Sequence, residues 1–289
     1  MKKLKIFSLG VLLSISLSCQ KDEYEDVNIK NPQLMNQEKR AMGGLETDKS
    51  TYDSFKEIKV NLLNKVASTT VVSQAPSSFF ISGQPPVVNQ GTEGSCSAFA
   101  AGYAALSILE ANFKQITEPR SPEFIYNQTK QFDECDGGAY MYKVLNFLVT
   151  DGACSIKEMP YTDGTCDSKP NSTQKKQAKS HVIKNWYRLS KSFPLDDAKV
   201  LLANNLPVII GINIDDEFQK NKGEIVASYS KKSNGFHFVC IVGYDDAKNA
   251  FKVQNSWGTG WGDQGYFWLH YDKFIDNEMV PERYVAIVK

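Results

Sequence analysis

The sequence has no net charge to speak of: its 33 basic side chains balance its 33 acidic ones, and no dense basic stripe breaks the balance. A phosphate backbone therefore has nothing to be neutralised by, and nucleic acid is excluded as a partner. Three histidines and six cysteines are few, and no Cys-x-x-Cys pair with a histidine beside it supplies the spacing of a zinc site, so neither a metal nor an organic cofactor is expected. No apolar run reaches the ~20 residues a membrane-spanning helix needs. Nor does any segment repeat. What remains is a chain that is 42% hydrophobic and 23% charged, a balance that buries a substantial core and rules out a disordered or fibrous protein.

The N-terminus is the exception to that balance. Lys2, Lys3 and Lys5 precede the apolar run Ile6 to Ser18, which closes on Leu17-Ser18-Cys19. This fits a secretory signal peptide over residues 1–18. Cys19 after small residues resembles a lipobox, which implies an acylated Cys19 as the new N-terminus, although Ser16 stands where that motif usually has a larger aliphatic residue. An ordinary secreted protein cut nearby is the alternative. The acidic stretch Gln20 to Asp26 resembles the export tail of some Gram-negative surface lipoproteins. The resulting expectation is an exported protein of a bacterial envelope, outer-membrane or surface, held to the membrane by Cys19.

From Cys19 to about residue 75 the composition is polar, with Asn31-Pro32 and Gly43-Gly44 as breakers, so a tether or short pro-segment is expected over 19–75. One amphipathic helix is predicted inside it from Thr51 to about Val66, with Tyr52, Phe55, Ile58, Leu62, Leu63 and Val66 at helical spacing. Such a stripe must rest on something, either the back of the compact domain or the mouth of its cleft. The compact region is expected over 76–289. Its first half, about 76–185, reads as helical, with helices over Ser97 to Glu110 and Gly138 to Leu148. Its second half, about 186–289, has a short helix from Asp196 to Asn204 and strand-like runs at 207–214, 237–244, 251–255, 266–271 and 284–288. Helices followed by many short strands imply an α+β protein of two subdomains.

The most informative stretch is Asn89-Gln90-Gly91-Thr92-Glu93-Gly94-Ser95-Cys96-Ser97-Ala98-Phe99. Two glycines permit a tight loop, and an apolar helix begins at Cys96. A thiol at a helix N-terminus has its thiolate stabilised by exposed N–H groups, and an imidazole beside it would lower its pKa further.

Two later segments have matching character: Gly235-Phe236-His237-Phe238-Val239 with Val242-Gly243-Tyr244, and Val253-Gln254-Asn255-Ser256-Trp257-Gly258-Thr259-Gly260-Trp261-Gly262. Together the three resemble the cysteine loop, histidine strand and asparagine loop of the papain-like cysteine peptidase family, in the same order and at a comparable distance apart. Cys135-Asp136-Gly137-Gly138 is similar to that family's substrate-facing Cys-Asn-Gly-Gly turn, and Met159-Pro160-Tyr161 and Asp216-Glu217-Phe218 follow as further landmarks. The resemblance spans about residues 76 to 289. It implies a helical left domain and a β-barrel-like right domain with the cleft between them, acting on protein or peptide substrates as a monomer.

It also implies roles. Cys96 would attack the scissile carbonyl, His237 would take up and return the proton, and Asn255 would orient the imidazole under the shelter of Trp257. Gln90 would aim its amide at the oxyanion. Gly137, Gly138, Trp257 and Phe236 would line the substrate cleft. Two departures stand out: Ser97 where the family has Trp, and Glu93 in place of a disulfide cysteine whose partner would have been Cys135. They keep a degenerate surface binding protein open beside the endopeptidase, as well as an amidase or transpeptidase using the same triad. Among the other thiols a Cys154–Cys166 disulfide is expected, with Cys240 buried and free. His181 and His270 lack matching context and are assigned structural or surface roles.

Overall fold

The structure is a computed structural model that describes residues 40–63 and 74–288. The signal-like run, Cys19 and the acidic stretch lie outside those residues, as does Val66. No helix among the described residues is long and apolar enough to cross a membrane.

The first half is built on one buried helix, α2, which starts as α-helix at Cys96–Ala98, widens into a π-helical stretch at Phe99–Leu106 and returns to α over Ser107–Lys114. Every residue from 93 to 110 is buried, the signature of a helix enclosed on all sides. Helix α3 (Pro122–Thr129) packs against it. The two approach so closely that a Cβ on Gly102 would lie 1.9 Å from Cδ1 of Ile125. Ser121 caps α3 by accepting from the Phe124 N–H at 3.0 Å, with Pro122 at the first helical position. Helix α4 (Met141–Thr150) buries Met141, Val144, Leu145 and Leu148 at helical spacing, and α5 (Ser172–Ala178) is closed by a capping box on Asn171.

The second half is a sheet of eight strands among the described residues, in the order β4 (Asn185–Arg188), β10 (Glu282–Ile287), β5 (Val208–Ile214), β7 (Gly235–Asp245), β8 (Ala250–Gln254), β9 (Tyr266–His270), β6 (Ile225–Val226), with β2 (Ser78–Phe80) also on β7. Its pairs are antiparallel except β6 with β9. Strand β7 is buried over all but its two end residues, because α2 lies against it on one side and α6 (Pro194–Ala203) also reaches it. A strand covered on both faces loses its polar alternation, which is why 235–245 reads as one apolar run. Short helices α7 (Asp216–Gln219) and α8 (Tyr271–Ile275) complete this half. The α+β architecture of two subdomains matches the sequence expectation.

Residues 40–63 belong to the same compact unit. Gly44 and Leu45 form β1, paired in parallel with Ala139 and Tyr140, which form β3. Helix α1 (Lys49–Ser54) follows, and it is shorter than the helix expected from Thr51 to Val66. Phe55 turns to extended backbone, the Ile58 N–H donates to Arg188 O at 2.9 Å, and Glu57 pairs with the Arg188 guanidinium at 2.7 Å. The helical stripe is thus interrupted by pairing with the edge of β4, a tertiary contact that outweighs local propensity. Its apolar residues are still used: Tyr52 packs edge-on against Tyr284 and Phe55 against Trp186, at centroid distances of 5.5 and 5.0 Å.

The expected Cys154–Cys166 disulfide is not formed. Cys166 pairs with Cys135, and Cys154 is free and buried, as is Cys240. The reason lies in the loop after Tyr161, which binds back onto residues 90–94 through Asp163 and Gly164 and so carries Cys166 to the Cys135 turn. Cys154 is fixed elsewhere, its carbonyl accepting the Ser121 N–H at 2.9 Å. A crosslink between residues 31 apart typically contributes about 3.7 kcal/mol on the chain-entropy account.

Candidate active site

Cys96 is the first residue of α2, fully buried. The loop before it is held from two sides. From the second half, Ser256 bonds Gln90 twice: the Gln90 N–H donates to Ser256 O at 2.8 Å, and the Ser256 hydroxyl donates to Gln90 Oε1 at 2.6 Å. Within the loop, Gln90 Nε2 donates to Glu93 O at 2.9 Å, which leaves its second amide hydrogen. From the first half, Tyr161 and Asp163 bind the loop.

His237 sits near the start of β7, opposite Ile212 of β5. Asn255 follows the end of β8, its N–H donating to Gly265 O at 3.0 Å. The two side chains meet: His237 Nε2 lies 2.8 Å from Asn255 Oδ1. Since that oxygen accepts only, the Nε2 proton is donated there, and Nδ1 carries the lone pair. Nδ1 is buried without a partner. Trp257 stacks on the imidazole at 4.6 Å and 27°, sheltering the bond. The helix that begins at Cys96 packs against the strand that carries His237, and the backbone N–H groups of Phe238, Gly43, Ser97 and Cys96 act to lower the thiol's pKa.

One of those donors, Gly43, comes from a segment the sequence marked only as a breaker. Residues 40–45 run through the cleft as a strap. The Arg40 guanidinium lies over Trp257 at 5.6 Å, and Trp257 Nε1 donates to Ala41 O at 3.3 Å. Met42 lies against Gly235, and the Gly43 carbonyl accepts from the Ala139 N–H at 2.9 Å. The fit leaves no room: a Cβ on Gly43 would stand 2.0 Å from Cα of Gly94, and one on Gly44 would stand 2.7 Å from Phe236 O. Thr47 N–H, beyond the strap, donates to the buried Glu282 carboxyl at 2.5 Å.

Burial under the strap sets the electrostatics. Desolvation pushes the Cys96 thiol up to about 11 despite the backbone N–H groups that lower it, and pulls His237 down to about 4 against the Asn255 hydrogen bond. Removing water from the sulfur thus works against the ionised thiol that a helix N-terminus favours.

The structure thus joins His237 to Asn255 and Gln90 to Ser256, the residue after Asn255, and sets the helix that opens with Cys96 against the strand of His237; Trp257 stacks on the imidazole and the Phe236 carbonyl lies against Gly44. Gly138, at φ +73, touches the Gly43 carbonyl. Gly137 instead abuts Phe132 and Glu134, so it supports the turn. Ser256, Tyr161, Asp163 and the strap were missed by sequence reasoning. Ser256 had a signal, its place next to Asn255. Tyr161 stood only as part of the Met159-Pro160-Tyr161 landmark; it and Asp163 reach the loop from about seventy residues away, and nothing local announces those bonds. Of the other histidines, His181 is bonded to Glu110 at 2.9 Å, and His270 caps α8.

Comparison with known proteins agrees with this geometry. A family described as "Papain family cysteine protease" matches residues 81–285. "Cysteine proteinase 1" of Entamoeba histolytica is 31% identical over 196 residues, which are 63% of this chain and 58% of that protein. "Gamete and mating-type specific protein A" of Dictyostelium discoideum is 33% identical over 188 residues, 63% of this chain and 40% of that protein. The chain thus spans about half the length of these curated relatives. Among solved structures, xylellain, a cysteine protease from Xylella fastidiosa, superposes with a TM-score of 0.71 at 24% identity, covering 89% of this chain and 99% of its own. Bromelain from Ananas comosus, in complex with the E64 inhibitor, gives 0.60 at 22%, covering 74% and 100%. The strap lies N-terminal to the matched region, whereas Cys96, His237 and Asn255 all fall inside it. A match over most of the chain, across a range that includes Cys96, His237 and Asn255, makes this protein a member of the papain family of cysteine proteases.

Proposed function

We propose that the protein is a cysteine-type endopeptidase in which Cys96 and His237 form the reacting pair. The observation that carries this reading is the unpartnered Nδ1 of His237, its other nitrogen committed to Asn255 at 2.8 Å, on a strand packed against the helix that opens with Cys96. A base must keep one nitrogen free, and Asn255 leaves that one. With water or substrate in the cleft, the desolvation that disfavours both charged forms is relieved, the thiol pKa falls, the imidazole pKa rises, and the proton passes from Sγ to Nδ1. The thiolate then attacks the carbonyl carbon. The oxyanion is met by the Cys96 N–H and the second hydrogen of the Gln90 amide. Return of the proton from His237 to the leaving amine breaks the peptide bond, and water hydrolyses the thioester through the same imidazole.

In the closed form the enzyme is latent. The strap covers Cys96, yet its own carbonyl at Gly43 is turned to Ala139 rather than to the oxyanion donors. It is therefore a plug and not a bound substrate in this geometry. The test is covalent. After removal of residues up to 47 by limited proteolysis, E64, the compound present in the bromelain complex, is expected to add one equivalent to Cys96, located by peptide mass mapping. No adduct under reducing conditions would reject the reading in favour of a non-catalytic binding protein.

The sequence Leu17-Ser18-Cys19 supports a further proposal, that the mature enzyme is exported and anchored through an acylated Cys19. Metabolic labelling with palmitate is expected to mark the wild type and to spare Cys19→Ala; an unmarked wild type would remove the anchor.

A further inference from the structure

The cysteine loop is held by Tyr161, whose single hydroxyl hydrogen has three oxygens around it. The Gln90 carbonyl is 2.6 Å away, Ser95 Oγ 2.9 Å and Glu93 Oε2 3.1 Å. A carbonyl accepts only, so the shortest of these contacts takes the tyrosine hydrogen. Tyr161 must then accept from the other two. Ser95 has a hydroxyl hydrogen to give. Glu93 has one only as a carboxylic acid, with its other oxygen, Oε1, accepting the Gly164 N–H at 2.9 Å.

We propose that Glu93 is held as a neutral acid whose proton runs through Tyr161 to the Gln90 carbonyl, making Glu93 a positioning residue for the amide that meets the oxyanion. The inference rests on the peptidase reading and deepens it. Ionisation of Glu93 would leave one hydrogen between two acceptors. The charged one wins it, and the buried Gln90 carbonyl loses its donor, loosening the residue six positions before Cys96.

The surroundings favour the neutral form. Glu93 is fully buried, and burial, then the charge of Glu123, pushes its carboxyl up to about 7. The titratable groups facing it are Glu123 and Tyr126 of α3 and Tyr161 and Asp163 of the following loop. Asp163 is occupied by the N–H groups of Thr92 and Glu93 and the Thr92 hydroxyl. Among the described residues no cation forms an ion pair with Glu93, Glu123 or Asp163; the Cys135 and Cys166 sulfurs lie within 4.8 Å of the Glu93 carboxyl, and Lys130 pairs instead with Asp167 at 2.9 Å. Glu93 stands where a covalent tie would otherwise hold the loop. In its place is a hydrogen-bond relay that titrates.

The experiment is the pH dependence of kcat and KM for the strap-free enzyme, comparing wild type with Glu93→Gln and Tyr161→Phe. The wild type is expected to lose kcat roughly tenfold between pH 6 and pH 8 through this group, as one proton leaves a site centred near 7. KM should be steady over the same range. The amide introduced by Glu93→Gln cannot ionise and keeps a donor toward Tyr161, so this loss should vanish and the alkaline limb move up to that of the remaining thiol and imidazole. Tyr161→Phe cuts the relay itself. It should lower kcat on the order of tenfold to a hundredfold with KM little changed, and its kcat should no longer follow Glu93.

An infrared difference between wild type and Glu93→Gln supplies a readout that needs no turnover. The carbonyl stretch of a protonated carboxylic acid should be present in wild type at pH 6, fade through pH 7 and be missing from the variant. Absence of that band, or the same alkaline limb in all three proteins, overturns the role of Glu93. If Glu93→Gln does not fold, Tyr161→Phe still decides: an alkaline limb identical to that of wild type overturns the role of Glu93. A strap-free wild type that neither cleaves peptides nor takes E64 at Cys96 sinks the peptidase reading instead, a separate result.

Discussion

Cys96→Ala is expected to reduce peptide hydrolysis by the strap-free enzyme about 10⁶-fold, the scale seen when the nucleophile of a Ser-His-Asp protease is deleted. The loss is this large because the remaining machinery has nothing to act on. His237 would have no Sγ proton to accept, and the oxyanion donors would have no tetrahedral adduct to hold. The fold should survive. Cys96 is fully buried under the strap in the closed form, so truncating its thiol removes one small group at a helix N-terminus and costs on the order of 1 kcal/mol. Two measurements check the outcome together: the rate of cleavage of a peptide library, and the thermal midpoint. Residual turnover within tenfold of wild type, with the midpoint unchanged, would refute the assignment of Cys96.

Gly43→Val is the second. In the full-length chain it should speed alkylation of Cys96 by an epoxide on the order of a hundredfold. The Cβ it introduces would stand 2.0 Å from both Cα and O of Gly94, and backbone atoms at that distance cannot move aside the way a long side chain does. The strap must therefore leave the cleft or tilt out of it. A strap held by a few hydrogen bonds is worth a few kcal/mol, and a hundredfold gain in open form corresponds to about 2.7 kcal/mol. Water then reaches the site. The thiol, up at about 11 when covered, comes back toward the range where a thiolate is populated, and His237, down at about 4, regains the basicity to take its proton. Pseudo-first-order labelling with E64, read by intact mass, checks this. Equal rates in the variant and the wild type would mean that the strap does not control access.

The same shift fixes a sign for stability. The folded-state pKa of His237 lies below its ordinary value, so the native closed form binds fewer protons there than the unfolded chain between about pH 4 and 6.5. Its contribution to stability is present above that window and is lost as pH falls through it. Acid therefore favours any form in which His237 is wet, which is also the form without the strap.

Much of this was legible in the sequence, and the parts that were not share a cause. Cys96 could be found because its signals are local: a glycine loop, then an apolar helix. His237 and Asn255 could be found because each stands in a strand-end context with its own pattern. The apolar runs at β5 and β7 gave their strands almost to the residue, since 237–244 was expected and Gly235–Asp245 is observed. What escaped depends on contacts between distant segments. Tyr52, Phe55 and Ile58 have helical spacing, yet the helix stops at Ser54 because the edge of β4 offers Ile58 and Glu57 better partners. Gly43-Gly44 reads as a breaker in one dimension. In three it is a pair of residues slim enough to pass between Gly94 and Phe236. Cys166 was assigned to the wrong partner because the loop that carries it is steered by Asp163, whose bonds to Thr92 and Glu93 have no trace in the spacing of the cysteines.

The order of the strands bears on how the protein comes into being. The last of them, Glu282–Ile287, lies inside the sheet between 185–188 and 208–214, not at an edge. A chain emerging from the ribosome cannot close its second half until those residues have been made, and non-local pairing of this kind is slow to form. Residues 40–45, by contrast, are among the earliest of the described residues to appear. When the two halves finally meet, the segment that lies over Cys96 has already been made, so the order of synthesis lets the thiol be covered as soon as its pocket forms.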